Sequence, residues 1–336
     1  MGLLSWDEPE LQLDSSHQAH DFTGKIAQIS ELLRLTRVRR VRVKNSVSTN
    51  ILKFLIAESE PPQAREKRRR SVGRSSGETY ESLLEHVAPE AEWTRVQPAD
   101  EGANAVPIGD LSQFDGVFVT GSPLHLYDDK PECRRIIDFM RAVFASGTPS
   151  FGSCAGLQVA TVAAGGTVRA MGERREAGFA RRIFPTDAGR THPLLTGRPN
   201  AFDAPAIHTD EVAELPTGAV LLASNGTTAV QAAEIRFDQG VFWGVQYHPE
   251  ISLFEVAAAL RRQSDDLIEH GLAADKDAVE QHAALVDALH EAPDRPDLAW
   301  QLGLDQEVTV PQKRTIEIHN FVEHLVRPTR SKRGRG

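Results

Sequence analysis

The sequence predicts an α/β fold, a central mostly parallel sheet with helices on both faces. Three observations carry this. Short apolar strands alternate with helical stretches over residues 51–160. One junction, "PSFGSCAGLQVA" at 149–160, leads from a strand end into a helix through a glycine-flanked corner. From Thr167 to Gln246 the texture turns β-rich, and from Ser252 onward it is helical.

The elements follow in order. Residues 1–48 read as an N-terminal extension, with Ile26, Ile29, Leu32 and Leu33 at helical spacing before a run of arginines from Arg34 to Arg42. "ILKFLIAES" at 51–59 is a first buried strand. "PPQAREKRRRSVGRSSGET" is rich in Pro, Arg, Ser and Gly and reads as a long exposed loop of solvated charge. "YESLLEHV" is a helix and "AEWTRVQ" a strand, and Val117, Phe118 and Val119 form a further buried strand broken by Gly121 and Pro123. "PECRRIIDFMRAVFASG" is an amphipathic helix with Pro131 in its first turn and Gly147 at its end, which makes Cys133 a helix-start residue with no chemical duty. "GTVRAM", "ARRIFP", "AVLLAS", "TAVQAAEI" and "VFWGVQ" suit hairpins or an added sheet layer. Helices run from Ser252 to a basic tail, "TRSKRGRG", read as disordered.

Composition bounds the function. The 336 residues are 40% apolar and 25% charged, enough for a sizeable core. A formal charge of −9 argues against a nucleic-acid binder. No window is long and apolar enough for a transmembrane helix, and the N-terminus lacks the basic and apolar regions of a secretory signal. With only Cys133 and Cys154 there is no disulfide framework, so a reducing, cytoplasmic setting is expected.

The chemistry centres on Cys154. Gly152-Ser153-Cys154-Ala155-Gly156 has the G-x-nucleophile-x-G pattern of a nucleophile elbow. A strand that turns abruptly into a helix exposes the corner side chain, and flanking glycines let the backbones approach. The helix N-terminus offers free N–H groups that stabilise a thiolate and, through Ala155, an oxyanion. A buried structural cysteine beside a tight turn is the competing reading. A thiolate needs a base, and "FWGVQYHPE" ends a strand in His248-Pro249-Glu250. Pro249 holds His248 extended, so Glu250 projects to the same side and accepts the ring N–H. The plainer alternative is a strand-end histidine and a solvated glutamate. Gly121, after another strand, can turn a second N–H into the cleft or serve a simple turn.

These residues, in this order, carry a resemblance. "GSPLHLYDD" at 121–129, "GSCAGLQ" at 152–158, "IHTDEVAELPTGAVLLASN" at 207–225 and "GVQYHPE" at 244–250 resemble the class I (triad) glutamine amidotransferases, most of all the GMP-synthase-type glutaminase domains and their stand-alone relatives. The resemblance implies a three-layer flavodoxin-like fold over residues 49–254, flanked by the extension at 1–48 and a helical extension at 255–336. It implies a Cys154–His248–Glu250 triad, an oxyanion hole from Gly121 and Ala155, and substrate contacts from Gln158, His208 and Asp210. Glutamine would be hydrolysed through a cysteinyl thioester, with ammonia passed to an acceptor. Ser153 stands where many members have an aliphatic residue. No S-G-G-x-D-S loop follows, and some 80 helical residues are too few for an ATP-dependent synthase domain. The ammonia then goes to a separate synthase subunit, or the chain acts alone on glutamine or another γ-glutamyl compound as a hydrolase or peptidase. A binding or regulatory protein on the same scaffold is the non-enzymatic alternative. Cys154, His208, His248 and Glu250 are types that suit zinc, but compact ligand spacing is lacking, so no metal or other cofactor is expected.

Overall fold

The apolar run at 52–57 sends alternate side chains into two different cores, as a strand covered on both faces must. Phe54 and Ile56 join one cluster, and Leu55 and Ala57 the other. The computed structural model describes residues 51–103 and 108–334. The extension expected over residues 1–48, with its arginine run, lies outside the described residues.

Eleven strands are present among the described residues: β1 (Lys53–Ala57), β2 (Glu92–Val96), β3 (Gly116–Val119), β4 (Ser150–Ser153), β5 (Thr167–Ala170), β6 (Glu176–Pro185), β7 (Phe202–His208), β8 (Asp210–Glu214), β9 (Ala219–Ser224), β10 (Ala232–Phe237) and β11 (Gly240–Val245). Nine form one sheet in the order β2-β1-β3-β4-β11-β10-β9-β6-β7, and β5 pairs with β8 as a separate ribbon. From β2 to β11 all pairs are parallel, and from β11 to β7 all are antiparallel. The β-rich segment therefore extends the main sheet by hairpins and adds one small ribbon. The parallel half matters for chemistry: the carboxyl ends of β1, β3, β4 and β11 open on one edge, where sheets of this kind place their sites.

The principal helices are α1 (Pro62–Val72), α2 (Ser76–Val87), α3 (Pro131–Ser146), α4 (Ala155–Ala163), α5 (Leu253–Arg262) and α6 (Lys276–Glu291). Tyr80 and Leu84 of α2 cover the face carrying Phe54, Phe118 and Phe151. Ile136, Met140 and Phe144 of α3, with Leu157 and Ala160 of α4, cover the opposite face with Val117 and Val119. Cys133 is buried at the start of α3, its thiol donating to the carbonyl of His125 at 3.4 Å.

Helix α1 corrects the expectation of a long loop at 61–79. Pro62 occupies its first turn, Gly73 closes it at φ +82°, and Ser75 with Glu78 then form a capping box that starts α2. Three of the arginines of α1 find partners across the fold, Arg65 with Asp100, Arg68 with Glu255 and Arg69 with Glu78, while Arg70 stays exposed beside Glu66. Arg, Lys, Glu, Gln and Ala are all good helix formers, so charge density alone was misleading here.

A second correction concerns the C-terminal tail. Residues Arg327–Lys332 are helical, preceded by Ile316–Phe321 and a π-helical stretch at Val322–Val326. Phe321, Val322 and Val326 are buried among the aromatic residues of the sheet, with the Phe321 ring 5.3 Å from that of Phe118. Arg330 donates to the carbonyl of Ile51 at 2.8 Å, and Arg333 to that of Gly147. These long-range acceptors order a basic stretch that composition suggested was free. The helices after residue 254 pack within the same compact unit as the sheet.

Candidate active site

Cys154 sits between β4 and α4 with φ +53° and ψ −112°, a conformation that few non-glycine residues adopt. The surroundings hold it there. Its N–H donates to the carbonyl of Val245 on β11 at 2.8 Å, and its carbonyl accepts from Gln158 one turn later. Gly156 has no room for a side chain, because a Cβ there would lie 2.4 Å from the Val119 carbonyl oxygen. The close approach of α4 to β3 fixes the corner that presents the sulfur.

His248 reaches the sulfur from the end of β11. Its N–H donates to the carbonyl of Pro205 on β7 at 2.7 Å, tying it to the antiparallel half of the sheet. Nδ1 donates to Oε1 of Glu250 at 2.7 Å, and the ring lines the same cavity as the Cys154 sulfur. Burial opposes a charged ring, but the Glu250 carboxylate and the Cys154 sulfur outweigh it and raise His248 to about 10. Gly121 lies against the same ring, where a Cβ would come 2.9 Å from Cε1 of His248 and 3.8 Å from Cβ of Cys154.

These groups share one cavity of about 270 Å³. Gly121, Ser122, Cys154, His248 and Glu250, here called its floor residues, line it together with Arg68 of α1 and Arg262 of α5. A larger groove of about 880 Å³ lies between α1 and α5 and contains none of the floor residues.

The other expected site residues fall elsewhere. Gln158 is buried, and its amide donates to the carbonyl of Asp210 at 3.1 Å and to Oε1 of Gln246 at 3.2 Å. His208 contacts Glu176 through Nε2 at 2.7 Å and the Asp210 carbonyl through Nδ1 at 2.9 Å. Burial works against the Glu176 carboxylate, but bonds from His208, Asn225 and Gln231 hold it below the ordinary range. Asp210 accepts from His125 at 2.7 Å and from Tyr127 at 3.3 Å. Their polar groups are taken up by protein partners, and none of the three lines the cavity. Beside Asp210, Glu211 is buried on β8 and paired with Arg169 and Arg174. Among the described residues, no three His, Cys, Asp or Glu side chains are grouped so as to hold a metal ion.

A family model for class I glutamine amidotransferases matches residues 77–264. The chain belongs to this family. Within it, the chain is 37% identical over 285 residues to a γ-glutamyl-L-1-hydroxyisopropylamide hydrolase from a Pseudomonas species, a match covering 83% of this chain and 94% of that protein. It is 27% identical over 157 residues to the glutamine-hydrolysing GMP synthase of Neisseria meningitidis serogroup B, covering 46% of this chain but only 28% of the synthase. A solved glutamine amidotransferase from Thermotoga maritima superposes with a TM-score of 0.53 at 14% identity, over 82% of this chain and 98% of that one, a likeness of fold. This amidotransferase chain has no helix among its described residues that is long and apolar enough to cross a membrane.

Sequence reasoning missed two residues beside the triad candidates. Ser153 donates to Oε1 of Glu250 at 2.8 Å, and Tyr80 contacts Ser153 at 3.0 Å. Ser153 carried a signal, as a hydroxyl in a position that is aliphatic in many amidotransferases. Tyr80 carried none, for only the packing of α2 on the sheet brings it there.

Proposed function

We propose that this chain hydrolyses γ-glutamyl amides through a thioester on Cys154, releasing glutamate and an amine. The observation that carries the reading is the shared cavity in which an elbow sulfur meets an imidazole bonded to Glu250. The Cys154 thiolate attacks the γ-carbonyl carbon, forming a C–S bond and a tetrahedral oxyanion. The reading assigns that oxygen to the N–H groups of Gly121 and Ala155, supported by the position of Ala155 as the first residue of α4, where its N–H has no intrahelical acceptor. The C–N bond breaks as the His248 imidazolium gives its proton to the departing amine. Neutral His248 then takes a proton from water, hydroxide attacks the thioester, and glutamate leaves with thiolate and imidazolium restored. Glu250 keeps the ring in one tautomer throughout.

A hydrolase acting alone is favoured by the relative matched over 94% of its length, which its name describes as a γ-glutamyl amide hydrolase. The amidotransferase reading, with glutamine as substrate and ammonia passed to a separate synthase subunit, rests on the likeness to part of GMP synthase. One experiment separates them. The protein is incubated with glutamine and with γ-glutamyl alkylamides, the free amine or ammonia is measured, and the γ-glutamyl adduct on Cys154 is sought by intact mass. We expect turnover of the substituted amides to exceed that of glutamine. Faster turnover of glutamine favours the second reading, and no adduct with any of them ends both in favour of a non-catalytic scaffold.

Two expectations follow from the geometry. In Gly121→Ala the new methyl displaces the His248 ring, so kcat/KM falls about 100-fold, the penalty of a ~1 Å misplacement, while the melting temperature changes little. Activity measured against pH should persist well above neutrality. The raised His248 stays charged as leaving-group acid until pH rises through about 10. The stabilisation from its pairing follows the same sign: complete below pH ~6.5 and lost as pH passes about 10. An activity maximum collapsing near pH 7 contradicts both.

A further inference from the structure

We infer that Ser153 and Tyr80 are positioning residues for this site, a hydroxyl chain that fixes the Glu250 carboxylate against His248. The inference rests on the reading of Cys154 and His248 as a reacting pair.

The distances form one line: Tyr80 Oη to Ser153 Oγ at 3.0 Å, Ser153 Oγ to Glu250 Oε1 at 2.8 Å, and Glu250 Oε1 to His248 Nδ1 at 2.7 Å. Direction follows from chemistry. The carboxylate can only accept, so Ser153 donates its one proton to Glu250 and accepts from Tyr80. Tyr80 is wholly buried, and its hydroxyl has Ser153 as its only partner among the described residues. Burial, with the charges of Glu250 and Cys154, raises the phenol well above its ordinary range, so it keeps the proton it donates.

What makes the chain consequential is the other carboxylate oxygen. Oε2 of Glu250 is buried with no hydrogen-bond partner among the described residues. Both protein donors converge on Oε1, so without Ser153 only the histidine that Glu250 must orient would hold it. Donation from Ser153 also draws charge from the carboxylate, which tempers its pull on the imidazolium and keeps His248 a stronger acid for the departing amine. Tyr80 in turn polarises Ser153. The other charged groups facing this pair are Cys154 below it and, across the cavity, Glu60, Lys67 and Arg68 on the α1 side and Glu255 and Arg262 from α5. None of those five hydrogen-bonds Glu250.

The test compares Ser153→Ala, Tyr80→Phe and the double variant in the full chain. Ser153→Ala should lower kcat about tenfold, equivalent to about 1.4 kcal/mol, with KM unchanged. Tyr80→Phe should act in the same direction but less, and the double variant should match Ser153→Ala alone, because Tyr80 acts only through Ser153. A readout independent of turnover is the His248 ring titration, followed by nitrogen NMR and assigned by its loss in His248→Asn. It should move upward in Ser153→Ala, as Glu250 keeps its full charge. Multiplying effects in the double variant, or a His248 titration that stays put or moves down, overturns the proposal. If no γ-glutamyl amide is turned over but the titration moves as stated, the chain of hydroxyls stands and the substrate reading falls. A lowered melting temperature with none of these changes assigns both residues to packing alone.

Discussion

Cys154→Ala should abolish amine release from γ-glutamyl amides, lowering kcat by about 10⁴–10⁶-fold, the loss typical when a covalent nucleophile is removed. The size of the effect follows from how little else the site holds. His248 and the oxyanion donors can bind and polarise a carbonyl, but without the sulfur no acyl intermediate forms and water must attack the amide directly. The substitution should be tolerated by the fold. Cys154 takes φ +53° because its neighbours hold it, through the Val245 carbonyl and the contact of Gly156 with Val119, and alanine keeps every backbone bond involved. Kinetics with a γ-glutamyl amide, thermal melts and intact mass check the three parts together. Residual turnover above one per cent, in a folded variant with no adduct, would move the chemistry away from this residue.

Arg198→Ala should remove about 3–5 kcal/mol of stability, the scale on which breaking a buried ion pair leaves an uncompensated charge. Arg198 lies just before β7, and its side chain is fully buried. Its guanidinium holds Glu317 at 2.6 and 2.9 Å and Glu307 at 2.9 Å, donates to the carbonyl of Arg314, and stacks over the Phe202 ring at 4.5 Å. Glu317 is equally buried and accepts from Tyr247 at 2.8 Å. Burial works against the Arg198 cation, but the carboxylates outweigh it and raise its affinity for the proton further, so the group stays charged at every working pH. Alanine would strand Glu317 in a dry core and loosen the helix that carries Phe321. A melting temperature lower by roughly 5–15 °C is the expected sign. Because Tyr247 precedes His248, kcat should fall as well. Arg198→Met with Glu317→Met, which removes both charges, should melt higher than either single variant. A single variant melting within a degree or two of the wild type would show that the pair contributes nothing net.

The parts of this molecule that were legible in the sequence are those whose geometry is set within a few residues. Gly152 to Gly156 marks a strand-to-helix corner because the need for bare backbone is local, and His248 and Glu250 do meet in a hydrogen bond, although the backbone at Pro249–Glu250 turns where an extended one was expected. The helix over 131–147 was bounded by its own proline and glycine. What stayed hidden depends on partners far along the chain. Arg68 reads as loose charge until Glu255, 187 positions away, comes beside it. Arg330 reads as tail until the Ile51 carbonyl receives it. The resemblance implies substrate contacts from His208 and Asp210, but a sequence does not tell which way a strand's side chain faces once Glu176, His125 and Tyr127 are available to bond it.

The sealed position of Cys133 has a practical consequence. The two sulfhydryls of this chain lie in different surroundings, one lining a cavity and the other buried in the first turn of α3. An electrophile added to the native protein should therefore label one position per molecule, and its stoichiometry should count intact sites in a preparation. Peroxide would be registered at that same position. With the second sulfur locked away, no internal disulfide can form to shield it, so recovery from oxidation depends on a thiol supplied from outside.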